Sequence, residues 1–262
     1  MTERINNRSE ETQSLWTAQK EMTERFFGVH EIKIPAIPLP PDELFEFIET
    51  TKSIGFEFEP YYEPKYRFTQ HEDLPGWTHK PPASLWKSSY ANAIGMQVFE
   101  LQGRWVAIEA IERPDYISFD TGEIKSYPDD PLGKIISDLH DSDLISHSCF
   151  KSDYSKNTRF GIPAFQVVND IQPTFASLAG VDKGQVNFPS YLFWNYVGNC
   201  AHPEWGSVKS LEYFDDNLSG LTRLVGGSSD WGGLSGVGWG ANDEGVANVS
   251  FRLCVSFRSN PE

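Results

Sequence analysis

The 262-residue sequence has few cysteines and no long apolar run. Its three cysteines, Cys149, Cys200 and Cys254, form no CxxC pair, and such a sparse, odd count favours free thiols in a reducing compartment. The first residues, MTERINNRSEETQSLW, lack the apolar core of a secretory signal. No apolar run approaches the roughly 18 residues of a membrane-spanning helix. These absences predict a cytoplasmic or virion-associated protein that does not cross a membrane.

Positive charge is also scarce. The chain has 22 Lys and Arg residues against 37 Asp and Glu residues, a formal net charge of −15, and its basic residues do not cluster. A chain of this charge repels phosphate backbones. Nucleic acids and anionic membranes are therefore excluded from the expected partners.

Complete catalytic motifs are missing as well. The sequence contains no GxSxG, no Walker A motif and no GxGxxG after a strand. The glycines around Gly232 and Gly238 lack the lysine and the helix start that phosphate binding requires. Carboxylates are so numerous that no pair stands out as acid and base. No catalytic residue is predicted.

Apolar and aromatic residues, in contrast, are plentiful. Hydrophobic residues make up 39% of the chain and aromatic residues 14%, which is enough to build a buried core. Apolar residues at helical spacing over 9–27, followed by Gly28, predict an amino-terminal helical arm (residues 1–28). The arm is expected to pack on its own body, with a second subunit as the alternative. Residues 29–262 are expected to form a single α+β domain, or two units divided near 141–160.

Three further helices are predicted in this domain. One runs from Pro41 to about Ser53, because proline and the acidic residues that follow it suit a first helical turn. The other two cover residues 131–140 and 170–180, and the latter ends at Gly180.

Alternation of apolar and polar residues predicts the strands. It occurs over residues 32–34, over 55–68 and, most clearly, over 98–111. The last segment is broken at Gln102-Gly103 as a hairpin would be. A closing strand is predicted from Val249 to Phe257.

The most distinctive stretch lies near the carboxyl end. RLVGGS at residues 223–228 leads into a long glycine-rich loop, and VSFRL at 249–253 returns the chain to the core. Glycines allow such a loop positive φ angles and close packing, and tryptophans hold it in place.

This arrangement resembles the carboxyl-terminal signature of the formylglycine-generating-enzyme family, in which a GGSW segment and a long loop precede a final GFRL strand. FPSYLFW at 188–194 lies where the family has a helix with the sequence LPTEAEWE, and residues 198–205 are similar to its GNVWEW turn. Residues 42–55 resemble the family's early helix more distantly. The resemblance implies a C-type-lectin-like fold for the body.

The chemistry of that family is not matched. Its activity relies on two cysteines held together near the carboxyl-terminal part of the site, where they bind copper. Here Cys200 and Cys254 fall in different predicted elements. The HxxxHxE motif of the related iron-dependent sulfoxide synthases is also absent. Similar scaffolds without these residues often bind a ligand through their carboxyl-terminal loops, so a binding protein is favoured over an enzyme.

The resemblance implies a ligand-binding surface between Gly226 and Gly245. Exposed tryptophans stack on sugars or pack on proteins, and short polar side chains supply hydrogen bonds. A glycan or a protein is therefore the expected ligand. The alternative is that both tryptophans only pin the loop to the core. The predicted contact residues are Ser228, Ser229, Asp230, Trp231, Trp239, Asn242 and Asp243.

Metal-capable residues support a second hypothesis, a divergent metal-dependent oxidase or oxygenase on the same scaffold. Two clusters lack the spacing of known zinc or iron sites, so solvated polar loops are the favoured interpretation. Residues 215–217 carry oxygens that suit a structural calcium ion, without the distal glutamate of an EF-hand. The two clusters are His71, Glu72, Asp73 and His79, and His140, Asp141, Asp143, His147 and Cys149.

A third hypothesis is a structural or assembly protein of a phage or of a secretion system. Such a protein would form a homo-oligomer through the helix predicted at residues 9–27. No internal repeat of solenoid period accompanies that helix.

Overall fold

Residues 2–28, 35–87, 99–115, 129–146, 156–217 and 220–258 are described by the computed structural model. Helices and mainly antiparallel strands are interspersed along these residues, which confirms the predicted α+β class. None of the described helices is long and apolar enough to span a membrane. The helices are α1 (Thr2–Phe27), α2 (Asp42–Ser53), α3 (Ala83–Lys87), α4 (Leu132–Asp141), α5 (Ala164–Gln166, a π-helical turn Val167–Ile171, and Gln172–Ala179) and α6 (Tyr191–Cys200).

The described strands form two four-stranded sheets and a two-stranded ribbon. They are β1 (Phe58–Glu63), β2 (Tyr66–Arg67), β3 (Glu100–Leu101), β4 (Arg104–Glu109), β5 (Val186–Asn187), β6 (Leu211–Asn217), β7 (Thr222–Gly226), β8 (Val237–Ala241), β9 (Val249–Ser250) and β10 (Cys254–Phe257). The first sheet has the order β1-β4-β10-β5, the second has the order β8-β7-β6-β9, and β2 pairs with β3. β6 and β9 are parallel, whereas the other pairs in these sheets are antiparallel.

Strand β4 is buried on both faces of the first sheet. Successive side chains of a strand point to opposite faces. Trp105 and Ala107 therefore join one hydrophobic core, while Val106 and Ile108 join another. The first core contains residues from both sides of the 141–160 stretch, since Phe58 and Leu132 pack in the same cluster as Phe251 and Val255. The second core contains most of α6.

Helix α1 confirms the helix predicted over residues 9–27. Met22, Phe26 and Phe27 are buried in the second core. Gly76 lies so close that a Cβ atom there would come within 2.4 Å of the Phe26 ring. The apolar side chains of the arm are thus used in contacts with the chain's own body. The outward face of the helix is mostly polar and consists of Glu10, Gln13, Ser14, Thr17, Ala18 and Glu21.

The other predicted helices are present, with one boundary changed. α2 and α4 match the predictions, and Gly180 ends α5 in the left-handed conformation, at φ 71°. Helix α5 begins earlier than predicted, at Ala164. Pro173, close to the predicted start at residue 170, follows the π-helical turn inside this longer helix. Proline has no backbone N–H to donate to the preceding turn, and the wider π turn before it accommodates this loss.

The predicted hairpin at Gln102-Gly103 is wrong. β3 pairs with β2, and β4 pairs with β1. The chain therefore runs from β3 into β4 in the same direction and does not reverse at Gly103. Gly103 has φ 73°, and a Cβ atom there would lie 2.9 Å from the Cβ atom of Lys65. The glycine therefore permits a local bend between two successive strands that run in the same direction.

The closing strand predicted over 249–257 is divided between the two sheets. β9 pairs with β6 in the second sheet, and β10 pairs with β4 and β5 in the first. Phe251, Arg252 and Leu253 are buried between them. The strand predicted at 32–34 lies outside the described residues.

Candidate functional site

The predicted ligand-binding segment is partly a strand. Two 3₁₀ turns, Ser229–Trp231 and Gly233–Ser235, follow β7, and the chain then forms β8 antiparallel to it, with Leu224 opposite Trp239. The prediction of a continuous irregular loop is therefore wrong over residues 237–241. VGWGA does not look like a strand because glycine is depleted in strands, but the neighbouring strand supplies the pairing.

Both tryptophans of this segment are exposed. Trp231 is 52% exposed and Trp239 is 58% exposed. A Cβ atom on Gly238 would lie 3.0 Å from the Trp231 ring, so this ring covers one face of β8 at Gly238. The next side chain, Trp239, leaves the strand from the opposite face. The two indoles thus flank a single strand and do not share one concave surface.

A small cavity adjoins Trp239. Its volume is about 220 Å³, and Leu85, Leu224 and Val237 form most of its apolar wall. Ser84 of the neighbouring helix α3 supplies a hydroxyl group. A cavity of this size can accept one amino-acid side chain or one sugar ring beside the indole.

The polar residues predicted for the surface fall into two groups. Ser229, Asp230 and Asp243 are exposed. Ser228 is only 2% exposed and Asn242 only 8%. Asn242 accepts a hydrogen bond from Arg223 (3.0 Å) and donates one to the carbonyl oxygen of Gly220 (2.9 Å). These two residues therefore serve the packing of the segment, and the exposed set is smaller than predicted.

Two glycines fix the start of the segment. Gly227 has φ 89°, and a Cβ atom there would lie 2.9 Å from both the Arg113 guanidinium and the Trp194 ring. At Gly226, a Cβ atom would lie 2.3 Å from the carbonyl oxygen of Gly236. Any larger residue would push the loop away from the core, so the GGS sequence is required for this close approach.

Arg113 ties the segment to the neighbouring turn. One terminal nitrogen of its guanidinium donates to the carbonyl oxygens of Trp205 (2.5 Å) and Gly227 (2.7 Å). A second terminal nitrogen lies 3.9 Å from the Glu212 carboxylate, which also accepts from Arg252 at 3.1 Å. Burial would raise the pKa of Glu212, but Arg252 and Arg113 outweigh it and hold this pKa below its ordinary value. A buried charged network therefore lies at the start of the segment, beneath Gly227.

A polar cluster around His202 was not predicted from the sequence. The imidazole Nε2 lies 2.9 Å from both the Glu59 carboxylate and the Tyr61 hydroxyl, and Nδ1 lies 2.8 Å from Glu204. The ring stacks on Trp205, with centroids 4.4 Å apart and planes 1° from parallel. Only the fold brings residues 59–61 next to 202–205, so no sequence motif could have revealed the cluster.

The electrostatics of this cluster favour an ion-pair clamp. Burial would lower the pKa of His202, but the hydrogen bonds to Glu59 and Glu204 prevail and raise it above 6.5. The hydrogen bond from His202 lowers the pKa of Glu59. A protonated imidazole between two carboxylates has no free lone pair, so it is a poor general base.

The residues considered for metal binding do not converge where the structure describes them. Among the described residues, no group of three His, Cys, Asp or Glu side chains could hold a metal ion. His71 contacts its neighbour Gln70, and His79 contacts Thr78. His147 and Cys149 lie outside the described residues.

The residues suggested for calcium are engaged separately. Asp216 accepts from the backbone N–H of Tyr191 at the start of α6 (2.6 Å), while Asp215 lies 3.8 Å from Arg223. Asn217 accepts from the backbone N–H of Gly220 at 2.8 Å. Because alternate side chains of β6 point to opposite faces, these oxygens do not surround a common point.

The two described cysteines are free thiols. Burial raises the pKa of Cys200 to about 12 and raises that of Cys254 as well. Both thiols are therefore protonated at neutral pH and are poor nucleophiles or metal ligands.

The fold and the site define an α+β protein with an exposed, rigidly supported aromatic segment. Comparisons with family models, with curated proteins and with solved structures gave no significant match.

Proposed function

We propose that this chain is a non-catalytic binding protein on a C-type-lectin-like scaffold, with a glycan or a protein as its ligand. The ligand is contacted by the segment from the first 3₁₀ turn to Asp243, just beyond the end of β8. The observation that carries the proposal is that Trp231 and Trp239 are both more than half exposed, on a segment whose start at Gly227 is bonded to Arg113. The proposed contact residues are Ser229, Asp230, Trp231, Trp239 and Asp243.

Exposed indoles favour a binding role because burying them is strongly favourable. Full burial of a large apolar side chain is favourable by about 1.5–3 kcal/mol of free energy. Tryptophan is also enriched among the residues that dominate binding energies. A rigid support adds to this gain, because little conformational freedom is lost when the ligand binds. Gly227 and Arg113 provide that support here.

The C-type-lectin-like part of the proposal is supported by contacts between the stretches that carry the resemblance. Arg252 of VSFRL lies over the Trp205 ring, at 4.1 Å from its centre. Trp205 in turn stacks with Trp194 of the helix that follows Ser190, and Trp194 crowds Gly227 of the GGS stretch. Four stretches that are separate in sequence thus meet around one aromatic cluster.

The test is a binding screen with matched variants. Purified protein is applied to a glycan array and to a displayed peptide library, and each hit is measured with Trp231→Ala, Trp239→Ala and Leu178→Ala. Leu178 is an exposed apolar residue on α5 and serves as the control. Because the two indoles lie on opposite faces of β8, we expect both tryptophan variants to stay folded and at least one of them to lose at least tenfold in affinity, about 1.4 kcal/mol, with the control unchanged.

Two results would contradict the proposal. One is a ligand whose affinity is the same for wild type and both tryptophan variants. The other is loss of near-UV circular dichroism in both variants, which would mean that the indoles hold the fold together and that their exposure has no functional meaning.

A further inference from the structure

A polar cleft lies at one end of the first sheet. Its volume is about 760 Å³, and it shares no lining residue with the cavity at Trp239. The start of β4 at Arg104 and the end of β10 at Phe257 form its floor. The 3₁₀ turn Lys183–Gln185 and the start of α2 form its walls. Clefts of this volume are typical of small-molecule sites.

Arg104 presents a fixed guanidinium group to the cleft. Its Nε donates to the Glu63 carboxylate at 2.6 Å, and the Glu63 side chain is 1% exposed while that of Arg104 is 37% exposed. Arginine has five N–H donors, and within the described chain the two terminal nitrogens of Arg104 make no hydrogen bond. The ion pair therefore orients the guanidinium without using its terminal donors.

Ser256 adds an unused hydroxyl group. Its Oγ is buried and has no hydrogen-bond partner among the described residues. The neighbouring Gln185 is bonded elsewhere, because its amide donates to the Ser256 carbonyl oxygen (3.1 Å) and accepts from the Asp182 N–H (3.0 Å). Buried polar groups are nearly always hydrogen-bonded, to protein, ligand or water, so a partner in the cleft suits this hydroxyl.

The charges of the cleft indicate the chemistry of that partner. Arg258 provides a second cation, and it is exposed. Two cations and a hydroxyl donor next to each other are unusual in a chain of net charge −15. Glu43 and Asp182 are exposed at the rim and repel ligands of high negative charge. Guanidinium groups bind carboxylates with two parallel hydrogen bonds.

We infer that this cleft is a binding site for a small carboxylic acid, amino acids included. The carboxylate accepts hydrogen bonds from the terminal nitrogens of Arg104 and, once its side chain turns toward the cleft, from Ser256. Arg258 supplies the second positive charge. The rim carboxylates favour a ligand with one or two acid groups, and they accommodate an amino group at its other end.

Titration with defined probes tests this inference. Acetate, succinate, citrate and L-glutamate are titrated to about 10 mM, where a site of millimolar affinity is mostly filled, with protein NMR and calorimetry as readouts. We expect at least one of them to saturate the site. Ser256→Ala and Arg258→Ala should each weaken its binding by roughly tenfold, since the first removes a donor to a charged group and the second removes a positive charge.

Arg104→Lys separates binding from folding. Lysine keeps the positive charge beside Glu63 but lacks the planar fork, so binding should weaken while the fold survives. Lys134→Gln is the matched control, because Lys134 is a cation with an 83% exposed side chain that does not line the cleft. Trp239→Ala should also leave carboxylate binding unchanged, which keeps this inference independent of the proposed function.

Three results would overturn the inference. They are the absence of binding by all four probes, equal binding by wild type and the cleft variants, and tighter binding of inorganic phosphate than of every carboxylate. The last result would leave an anion site but would exclude the proposed ligand class.

Discussion

The guanidinium of Arg252 lies over the ring of Trp205, 4.1 Å from its centre, and donates to the Glu212 carboxylate from the same position. Arg252 and Glu212 are fully buried. This pair connects the closing segment of the chain to β6 and to the turn Pro203–Gly206, which packs against the second 3₁₀ turn of the exposed segment. Cation–π contact and ion pairing therefore act on one side chain.

Replacing Arg252 by methionine should destabilise the fold by about 3–5 kcal/mol, because Glu212 would remain buried without its main cation. Urea unfolding followed by far-UV circular dichroism measures the change. The double variant Glu212→Gln/Arg252→Met should recover part of the loss. Equal stability of wild type and the single variant would show that the pair contributes nothing.

Stability should decrease at alkaline pH through His202. The pKa of His202 is raised above 6.5 in the folded state. Its ion pairs with Glu59 and Glu204 therefore contribute fully below pH 6.5 and are lost as the pH rises through the folded value. The hydroxyl of Tyr61, whose pKa is raised by burial, stays protonated throughout this range.

The measurement is the urea midpoint of wild type and His202→Gln between about pH 6 and about pH 9, a range that spans the folded pKa of the imidazole. We expect wild type to be the more stable at the acidic end and the difference to shrink with increasing pH. His71→Gln is the control, because His71 is exposed and hydrogen-bonds its neighbour Gln70. A difference that does not vary with pH would contradict the ion-pair interpretation.

Asp216 should make the stability of the fold depend on pH in a more acidic range than His202 does. Burial raises the pKa of Asp216 from 3.8 to about 7. The neutral carboxyl group of Asp216 therefore contributes its full stabilisation of the fold below pH 3.8, and this stabilisation is lost as the pH rises to about 7. The Asp216→Asn substitution would keep a side-chain acceptor for the Tyr191 N–H and would remove the charge.

We expect Asp216→Asn to gain stability relative to wild type between about pH 4 and about pH 8, by up to roughly 3 kcal/mol. Thermal unfolding at fixed ionic strength across this range gives the difference. Asp243→Asn, at an exposed position, is the control. A stability difference between wild type and Asp216→Asn that does not vary with pH would mean that Asp216 is ionised in the folded protein at all these pH values.

Local patterns predicted the helices well and the strands less well. Apolar spacing predicted α1, a proline and acidic residues predicted the start of α2, and Gly180 marked the end of α5, because these signals act within a few residues. The hairpin at Gly103 and the loop over β8 were wrong because pairing with distant strands decides what a glycine does there. A glycine reports only what the backbone is permitted to do.

The candidate site shows the same division. The exposure of Trp231 and Trp239 was one of two alternatives that the sequence left open, and the structure distinguishes between them. Ser228 and Asn242 could not be recognised as buried, because their surroundings come from β6, β7 and the turn at Gly220. The clusters around His202 and Arg104 join side chains from separate strands and turns, and nothing in their local sequence marks them.

Gly227 tests whether the support of the exposed segment matters. Gly180 and Gly227 both have positive φ angles, 71° and 89°, but a Cβ atom at Gly180 would meet nothing within 4 Å, whereas one at Gly227 would meet Arg113 and Trp194. Gly180→Ala therefore measures backbone strain alone and should cost about 1 kcal/mol. Gly227→Ala adds the steric clash and should cost at least twice as much.

Thermal unfolding compares the free-energy losses of the two variants. Equal losses would mean that the loop relaxes without resistance, and the rigidity on which the proposed binding surface depends would then be absent.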